Sequence, residues 1–342
     1  MSKEKQKKST QDTVGEFGRD FQANAAIFLF VKNLKESSYV KNESVNEDIE
    51  IGLTSKKKIY AQAKAVEVST DTRNVIQKLK DAVETLNTAK TKDADTARLT
   101  YITNSKSPFN ISNPMENSIS GLTSKAFSEL TPAEQAIVKK AVDDQGITDF
   151  AYNDFYILVI PFEGQEDSER YKEIKGIINE LFAAIGKSDS GLAPKVMSVW
   201  QNMLRINASK RTATVSKESF LWPIVVLYCE GDAPQWLREE KDEGIIEAAI
   251  AKFGSLINNA SHDFQLVTKV INDYDDFISK NQLAANIQIK TFANSNYDKY
   301  EDAFTSMNTE DEEVQTIVKK LVINQILIKR KDIKKLKAHA GL

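Results

Sequence analysis

Cysteine and histidine are scarce in this chain. Its 342 residues include one cysteine, Cys229, and two histidines. A single thiol excludes an intramolecular disulfide and is typical of proteins from a reducing compartment, so we expect a cytoplasmic location. Too few nitrogen and sulfur ligands are present for a zinc site. Any metal ion would therefore be held by oxygen atoms.

Long apolar runs are also missing. Runs such as residues 25–31 and 220–229 are short, whereas a transmembrane helix needs about 20 apolar residues. The N-terminal residues are polar and lack the apolar centre of a signal peptide. No G-x-x-x-x-G-K-[ST] segment occurs, which argues against a P-loop ATPase. We expect a protein with no membrane contact and no nucleotide hydrolysis of its own.

The composition is that of a globular protein. Apolar residues make up 41% and charged residues 28% of the chain, with a net charge of −3, and this length favours two domains. Basic residues are concentrated in residues 319–337, with Asp332 as the single acid there. This cluster is either a solvated helix face or a basic contact patch, and the sequence leaves both interpretations open.

The hydrophobic pattern predicts an α/β first half. Helical periodicity is followed by strand-like alternation, and the predicted order is helix, hairpin, helix, strand: 15–36, 38–53 with 59–66, 72–90 and 97–105. A helix between two strands makes those strands parallel neighbours. Further along, the pattern predicts a loop, a capped helix and a buried strand, at 105–121, 131–145 and 154–162.

Beyond about residue 163 the pattern becomes largely helical. We therefore predict two domains, with the boundary near residue 165. Residues 13–165 would form a mixed sheet flanked by helices, and residues 166–342 would form a mainly α-helical domain for assembly or for contact with DNA or a partner.

Three polar residues fall on two neighbouring strands of the predicted hairpin. If Asp48 and Gln62 face one side of the sheet, alternation places Lys64 on that side too. A carboxylate and a neutral oxygen can hold Mg²⁺ against a phosphate, and an ammonium can stabilise the charge that develops during hydrolysis. The alternative is that Gln62 and Lys64 form the solvent-facing side of an edge strand.

Four segments carry a resemblance to a known family. They are "GEFGRDFQANAAIFLFVKNL", "ESVNEDIEI", "IYAQAK" and "LTYITNSKSPF", in that order. The set resembles the restriction-endonuclease-like, or PD-(D/E)xK, nucleases, and among them the double-stranded-DNA endonuclease domain of CBASS antiphage effectors. It covers residues 13–230. The resemblance implies a restriction-endonuclease-like fold.

The resemblance also implies roles for individual residues. Asp48 matches the metal-binding acid, Lys64 the catalytic lysine, and Gln62 the position where many relatives have Glu or Asp. Glu43 matches an acid that precedes the metal-binding one and is a third candidate metal ligand beside Asp48 and Gln62. Two further residues support the site in this scheme: Gln22, on the first helix, matches a polar position that reaches the same site, and Glu47, next to Asp48, is the weaker candidate ligand.

The function implied is that of a Mg²⁺- or Mn²⁺-dependent endonuclease of bacterial antiphage defence that cuts double-stranded DNA. Residues 230–342 lack a match to the sensor domain of the CBASS effectors. Similar nuclease domains occur beside a HerA-like ring ATPase, so we expect a homo-oligomer activated within such a complex. The alternative is a catalytically silent subunit that binds DNA or scaffolds the ring.

Overall fold

A computed structural model of the chain describes residues 2–43, 48–113, 115–164, 166–187, 191–210, 213–229, 231–259, 264–304 and 311–342, with the backbone alone at 2–14 and 253–259. Contacts between Cα atoms divide the chain into two compact units. The first comprises residues 1–217 and the second residues 218–340.

The first unit is built on a mixed sheet. Its strands run in the spatial order β5-β6-β4-β3-β2-β1-β7. In chain order they are β1 (Ser37–Asn42), β2 (Ile49–Leu53), β3 (Lys58–Lys64), β4 (Thr96–Thr103), β5 (Thr123–Ala126), β6 (Phe155–Val159) and β7 (Val215–Ser216). Strands β3, β4 and β6 are parallel neighbours, and the other pairings are antiparallel.

Helices cover the sheet. They are α1 (Ser2–Lys32), α2 (Val75–Lys92), α3 (Pro132–Asp144), α4 (Asp167–Arg170), α5 (Lys172–Ala184) and α6 (Leu192–Ala208). Helix α2 packs on β3 and β4 and carries α3, while α1 packs on β1 and β3 and carries α5 and α6. The α/β class is confirmed.

Strand alternation explains both apolar layers. Tyr60, Leu99 and Tyr101 join the α2 residues of one buried cluster. Their neighbours Ile59 and Ala61, which point to the opposite face, are also buried. A sheet buried on both faces needs apolar side chains at successive positions, and this is why β3 and β4 contain almost continuous apolar runs.

Several predicted elements are confirmed. The predicted helix at 72–90 is α2, and it connects parallel strands β3 and β4. The capped helix is α3, where the Thr131 side chain accepts from the Glu134 N–H and the Glu134 carboxylate accepts from the Thr131 N–H. Reciprocal bonding of this kind satisfies two otherwise free helix N–H groups.

One predicted strand is in fact two strands. The predicted strand at 38–53 contains both β1 and β2, and these two strands pair with each other antiparallel. The chain reverses after Glu43, whose φ of 53° lies in the left-handed region and whose N–H donates to the Asp48 carbonyl at 2.6 Å. Strand β5 was not predicted, since its four polar or small residues carry no apolar alternation.

The second unit is helical, as the pattern beyond residue 163 predicts. It contains most of α7 (Lys217–Cys229), then α8 (Gln235–Glu240), α9 (Glu243–Asn259), α10 (Phe264–Lys280), α11 (Ala285–Asn296) and α12 (Glu312–Ala340). Helix α12 packs against α9, α10 and α11. The predicted boundary near residue 165 falls inside the first unit, because α5 and α6 pack on α1.

Candidate functional site

The polar residues singled out in the sequence lie at one edge of the sheet. Strand β3 ends there at Lys64, and antiparallel β2 begins there, directly after Asp48. Ile49 pairs with Ala61, so the next positions outward, Asp48 and Gln62, are cross-strand neighbours. Period-two alternation gives both residues, and Lys64, the same face.

Asp48 is the acceptor at the centre of this cluster. Its Oδ2 accepts a hydrogen bond from Gln62 Nε2 at 2.8 Å and another from the Ala63 N–H at 3.0 Å. Lys64 Nζ lies 3.8 Å from the same oxygen. The three side chains whose convergence was predicted from the strand pattern are therefore brought together.

Burial makes the Asp48 carboxylate unusually basic. Loss of solvent raises its pKa, and this effect outweighs four opposing contributions: the Lys64 charge and hydrogen bonds from Ala63, Gln22 and Gln62. Its side chain is 18% exposed. A carboxylate whose pKa is raised and which lies beside an ammonium is a recurrent feature of functional sites.

Gln62 turns its nitrogen toward Asp48, because a carboxylate only accepts hydrogen bonds. Its other amide atom, Oε1, is buried and has no hydrogen-bond partner among the described residues. A buried acceptor without a donor is unfavourable by about 1–3 kcal/mol. Such an atom requires a specific explanation, and a ligand supplied from outside the chain is one.

The supporting residues are placed differently from one another. Gln22 approaches Asp48 from α1 and lowers the pKa of its carboxyl group, so it reaches the site that the resemblance implies. Glu43 follows β1 and contacts Asp48 through its backbone N–H, while its side chain lines a cavity next to the cluster. Glu47 lies outside the described residues.

Lys78 is a residue near the candidate site that we did not predict from the sequence. This half-buried lysine lies in the first turn of α2, and its pKa is lowered by burial first and then by the positive charge of Lys64. The cluster therefore has a second ammonium nearby. A signal was present in the sequence, because the helix that follows β3 begins at the same edge of the sheet as the Lys64 end of that strand.

The described residues contain no group of three or more His, Cys, Asp or Glu side chains able to hold a metal ion. Mg²⁺ does not require such a group, since it usually binds one or two carboxylates, substrate phosphates and several waters. Asp48 and the unpartnered Gln62 Oε1 are oxygen donors of the kind that Mg²⁺ selects. The donor set fits this ion.

Much of the basic cluster at 319–337 makes contacts inside the second unit. Lys319 pairs with Glu301, and Lys334 Nζ lies 2.5 Å from Asp275. Lys337 donates to Thr268 Oγ1 at 2.8 Å. These partners are separated from α12 in sequence, so the run of charge alone could not reveal them.

Comparison with known proteins gives limited similarity. No protein-family model matches the chain, and no curated protein matches it. The chain is similar to two structures of the Acinetobacter baumannii Cap4 SAVED/CARF-domain containing receptor. The first is 12% identical, with a TM-score of 0.38 over 61% of this chain and 46% of the receptor. The second, with the cyclic trinucleotide 3'3'3'-cAAA, is 14% identical, with a TM-score of 0.36 over 61% and 44%.

The chain thus spans less than half the length of the receptor that it matches. Similarity at this level supports no conclusion about the function of this chain. Within the ranges that the structure describes, every helix is too short or too polar to cross a membrane.

Proposed function

We propose that this protein is a Mg²⁺-dependent endonuclease that hydrolyses phosphodiester bonds of double-stranded DNA. The observation that carries the proposal is the convergence of Asp48, Gln62 and Lys64 at one edge of the sheet, within hydrogen-bonding or ion-pairing distance. A carboxylate, an amide and an ammonium are the groups that a metal-assisted attack of water on a phosphate requires.

Each residue has a distinct task in this scheme. Asp48 and Gln62 would hold the ion through their side-chain oxygens, and bound Mg²⁺ would supply Lewis acidity to the phosphate. Lys64 stabilises the negative charge that develops on the phosphate oxygens as the water oxygen bonds to phosphorus and the P–O ester bond breaks. Lys78 adds positive charge nearby, which favours a polyanionic substrate.

The resemblance supports a role for this activity in bacterial antiphage defence as part of the proposal. In that setting the protein would be a cytoplasmic homo-oligomer, active within a complex that includes a HerA-like ATPase. The chain has no P-loop sequence of its own, so ATP hydrolysis would belong to the partner. Mn²⁺ would also support the reaction in place of Mg²⁺, because both ions prefer oxygen ligands.

The test is plasmid degradation with and without Mg²⁺, in the presence of the partner ATPase. We expect wild type to degrade the plasmid, and Lys64→Ala to be slower by about 100-fold or more, as when a charge-stabilising group is removed from an active site. Lys140→Ala is the matched control, since Lys140 is an exposed lysine on α3. Equal rates for wild type and Lys64→Ala would remove Lys64 from the mechanism.

One observation favours a catalytically silent subunit instead. Asp48 Oδ2 already accepts hydrogen bonds from two N–H groups and lies near the Lys64 ammonium. These three groups balance the charge of the Asp48 carboxylate without a metal ion. This alternative predicts DNA binding with a steep dependence on salt and no cleavage in Mg²⁺. It also predicts that deletion of residues 230–342 abolishes binding of the partner.

A further inference from the structure

A cavity of about 300 Å³ adjoins the Asp48 cluster. Helix α1, the end of β1 and the end of α6 contribute its lining. Two connections tie it to the cluster. Gln22 lines the cavity and is close enough to Asp48 to lower the pKa of its carboxyl group. Glu43 lines the cavity and donates its backbone N–H to the Asp48 carbonyl.

Two guanidinium groups give the cavity a cationic side. Arg205 donates to the Asp20 carboxylate at 2.9 Å, while its own side chain is 56% exposed. Asp20 is itself fixed, because the Tyr171 hydroxyl and the Asn24 amide also donate to it, at 2.7 and 3.2 Å. Arg205 is therefore held in position by one N–H group, and its other N–H donors have no hydrogen-bond partner within the described ranges.

Arg19 is the second guanidinium. It precedes Asp20 on α1, is exposed, and forms no ion pair or side-chain hydrogen bond within the described part of the chain. Two arginines that line one cavity, one fixed by a carboxylate and one uncommitted, suit a phosphate group, which accepts several N–H bonds at once.

The remaining lining is rich in acceptors. Asn42, the last residue of β1, is 4% exposed, and its Oδ1 has no hydrogen-bond partner among the described residues. The carboxylates of Glu16 and Glu43 line the same cavity. A ligand that fills this part must bring N–H donors, because acceptor atoms facing this lining would be repelled.

We propose that this cavity binds one unpaired nucleotide, with its phosphate at Arg19 and Arg205 and the amino group of its base at Asn42 Oδ1. The volume is at the lower end for small-molecule pockets and suits a ligand of this size. Cytosine, adenine and guanine carry an exocyclic amine. Thymine flanks its single N–H donor with two carbonyl oxygens, so the acceptor-rich lining disfavours it.

The position next to Asp48 assigns the nucleotide to the DNA strand being cut, and in this respect the inference rests on the proposed function. A base enters such a cavity only when it is unstacked and unpaired. A free nucleotide carries the same phosphate and base as a nucleotide of the DNA strand, so the test must separate these two sources of the ligand.

The test is a binding measurement on the full-length Lys64→Ala protein without divalent ions. Fluorescence anisotropy of labelled oligo-dC and oligo-dT would report affinity, and we expect oligo-dC to bind about tenfold more tightly. Arg19→Ala should weaken binding of both about tenfold. Asn42→Ala should abolish the preference for dC, while Lys140→Ala, on α3, should change neither affinity.

Asn42→Ala is a clean variant because Oδ1 has no hydrogen bond to lose, and the Asn42 N–H bond to Asn207 Oδ1 comes from the backbone. Competition with dCMP distinguishes the sources. Oligo-dC that binds much more tightly than dCMP at the site that requires Arg19 and Asn42 supports a nucleotide of the strand. dCMP that binds there at least as tightly as oligo-dC supports a free nucleotide and contradicts the assignment to the strand.

Unchanged affinities in both Arg19→Ala and Asn42→Ala would overturn the proposal. This readout does not depend on hydrolysis. If wild type does not cleave DNA but the dC preference requires Asn42, only the nuclease function is contradicted. If wild type cleaves DNA but nucleotide binding does not depend on Arg19 or Asn42, only the nucleotide cavity is contradicted.

Discussion

Asp48 is the residue on which the electrostatics of the site depend. Its carboxylate is mostly buried, and the groups around it lower its pKa by less than burial raises it. The ionised form is therefore disfavoured in the folded protein relative to the unfolded chain. A residue that lowers stability in this way is expected at a functional site rather than in a structural network.

Asp48→Asn should stabilise the protein at neutral pH. The folded pKa of Asp48 lies above its unfolded value, so ionisation destabilises the fold: this cost is absent below the unfolded pKa and fully present above the folded pKa. The amide removes the charge but keeps an oxygen for the Ala63 N–H. We therefore expect Asp48→Asn to be more stable than wild type at pH 7, by a margin that develops as the pH rises from the unfolded pKa to the folded pKa.

The measurement is urea unfolding of wild type and Asp48→Asn from pH 3 to pH 8. The advantage of the variant should disappear at acid pH, where the wild-type carboxyl group is protonated in both states. A variant that is less stable than wild type at pH 7 would show that the ionised carboxylate stabilises the fold, and would contradict this assignment.

The residue types at the site could be predicted from sequence, but their bonding could not. Strand alternation is enough to place Asp48, Gln62 and Lys64 on one face. The orientation of the Gln62 amide depends on which atoms of other strands come within reach. Lys78 lies on α2, the helix that follows the hairpin, so its approach could have been predicted. Arg205 lies on α6, far from the hairpin in sequence, and only the folded structure brings it near.

At the scale of elements, β1, β2 and β3 form an antiparallel meander with polar groups at both ends. The Asp48 cluster occupies one end. At the other, Asp93 follows α2 and accepts from Lys58 Nζ and the Tyr60 hydroxyl, both at 2.7 Å. These bonds tie the start of β3 to the end of α2, so the strand is fixed at the end opposite the candidate site.

Asp93→Asn should weaken this connection. The hydrogen bond from Lys58, and then that from Tyr60, lower the pKa of Asp93 to about 2. Its contribution to stability is complete above the unfolded pKa and is lost as the pH falls through the folded value. We expect the variant to lose about 1 kcal/mol at pH 7.

Urea unfolding at pH 7, 4 and 2.5 would check this expectation. The difference between wild type and Asp93→Asn should narrow from pH 4 to pH 2.5. Asp81→Asn is a suitable comparison, because Asp81 is an exposed residue of the same helix. A difference that stays constant to pH 2.5 would show that the Asp93 charge does not contribute.

Elements with a strong periodic pattern could be predicted, and those defined by tertiary pairing could not. Helices α2 and α3 carry amphipathic patterns, and α3 also has a capping box. Strand β5 has four residues and exists because β6 offers an antiparallel partner. The two-residue strand β7 likewise depends on β1.

At the scale of the whole molecule, the chain consists of an α/β unit that contains the complete described cluster and a second unit that is helical. The helical character of residues beyond 163 could be predicted. The extent of the first unit could not be predicted, because α5 and α6 have helical patterns like those of the second unit. Only their packing on α1 shows that they belong to the first unit.

The division into units is consistent with the proposed function, in which the sheet edge cuts DNA and the helical unit binds partners. On this view the activity depends on Asp48 while the fold does not. Asp48→Asn is therefore the most informative variant, since the raised pKa of Asp48 leads us to expect a folded protein that is at least as stable as wild type.

The most direct test of the central claim is the rate at which wild type and Asp48→Asn cleave an end-labelled DNA duplex in Mg²⁺, with the partner ATPase present. We expect cleavage by wild type that EDTA abolishes, and a rate for folded Asp48→Asn that is lower by about 100-fold or more. Equal Mg²⁺-dependent rates for the two proteins would contradict it.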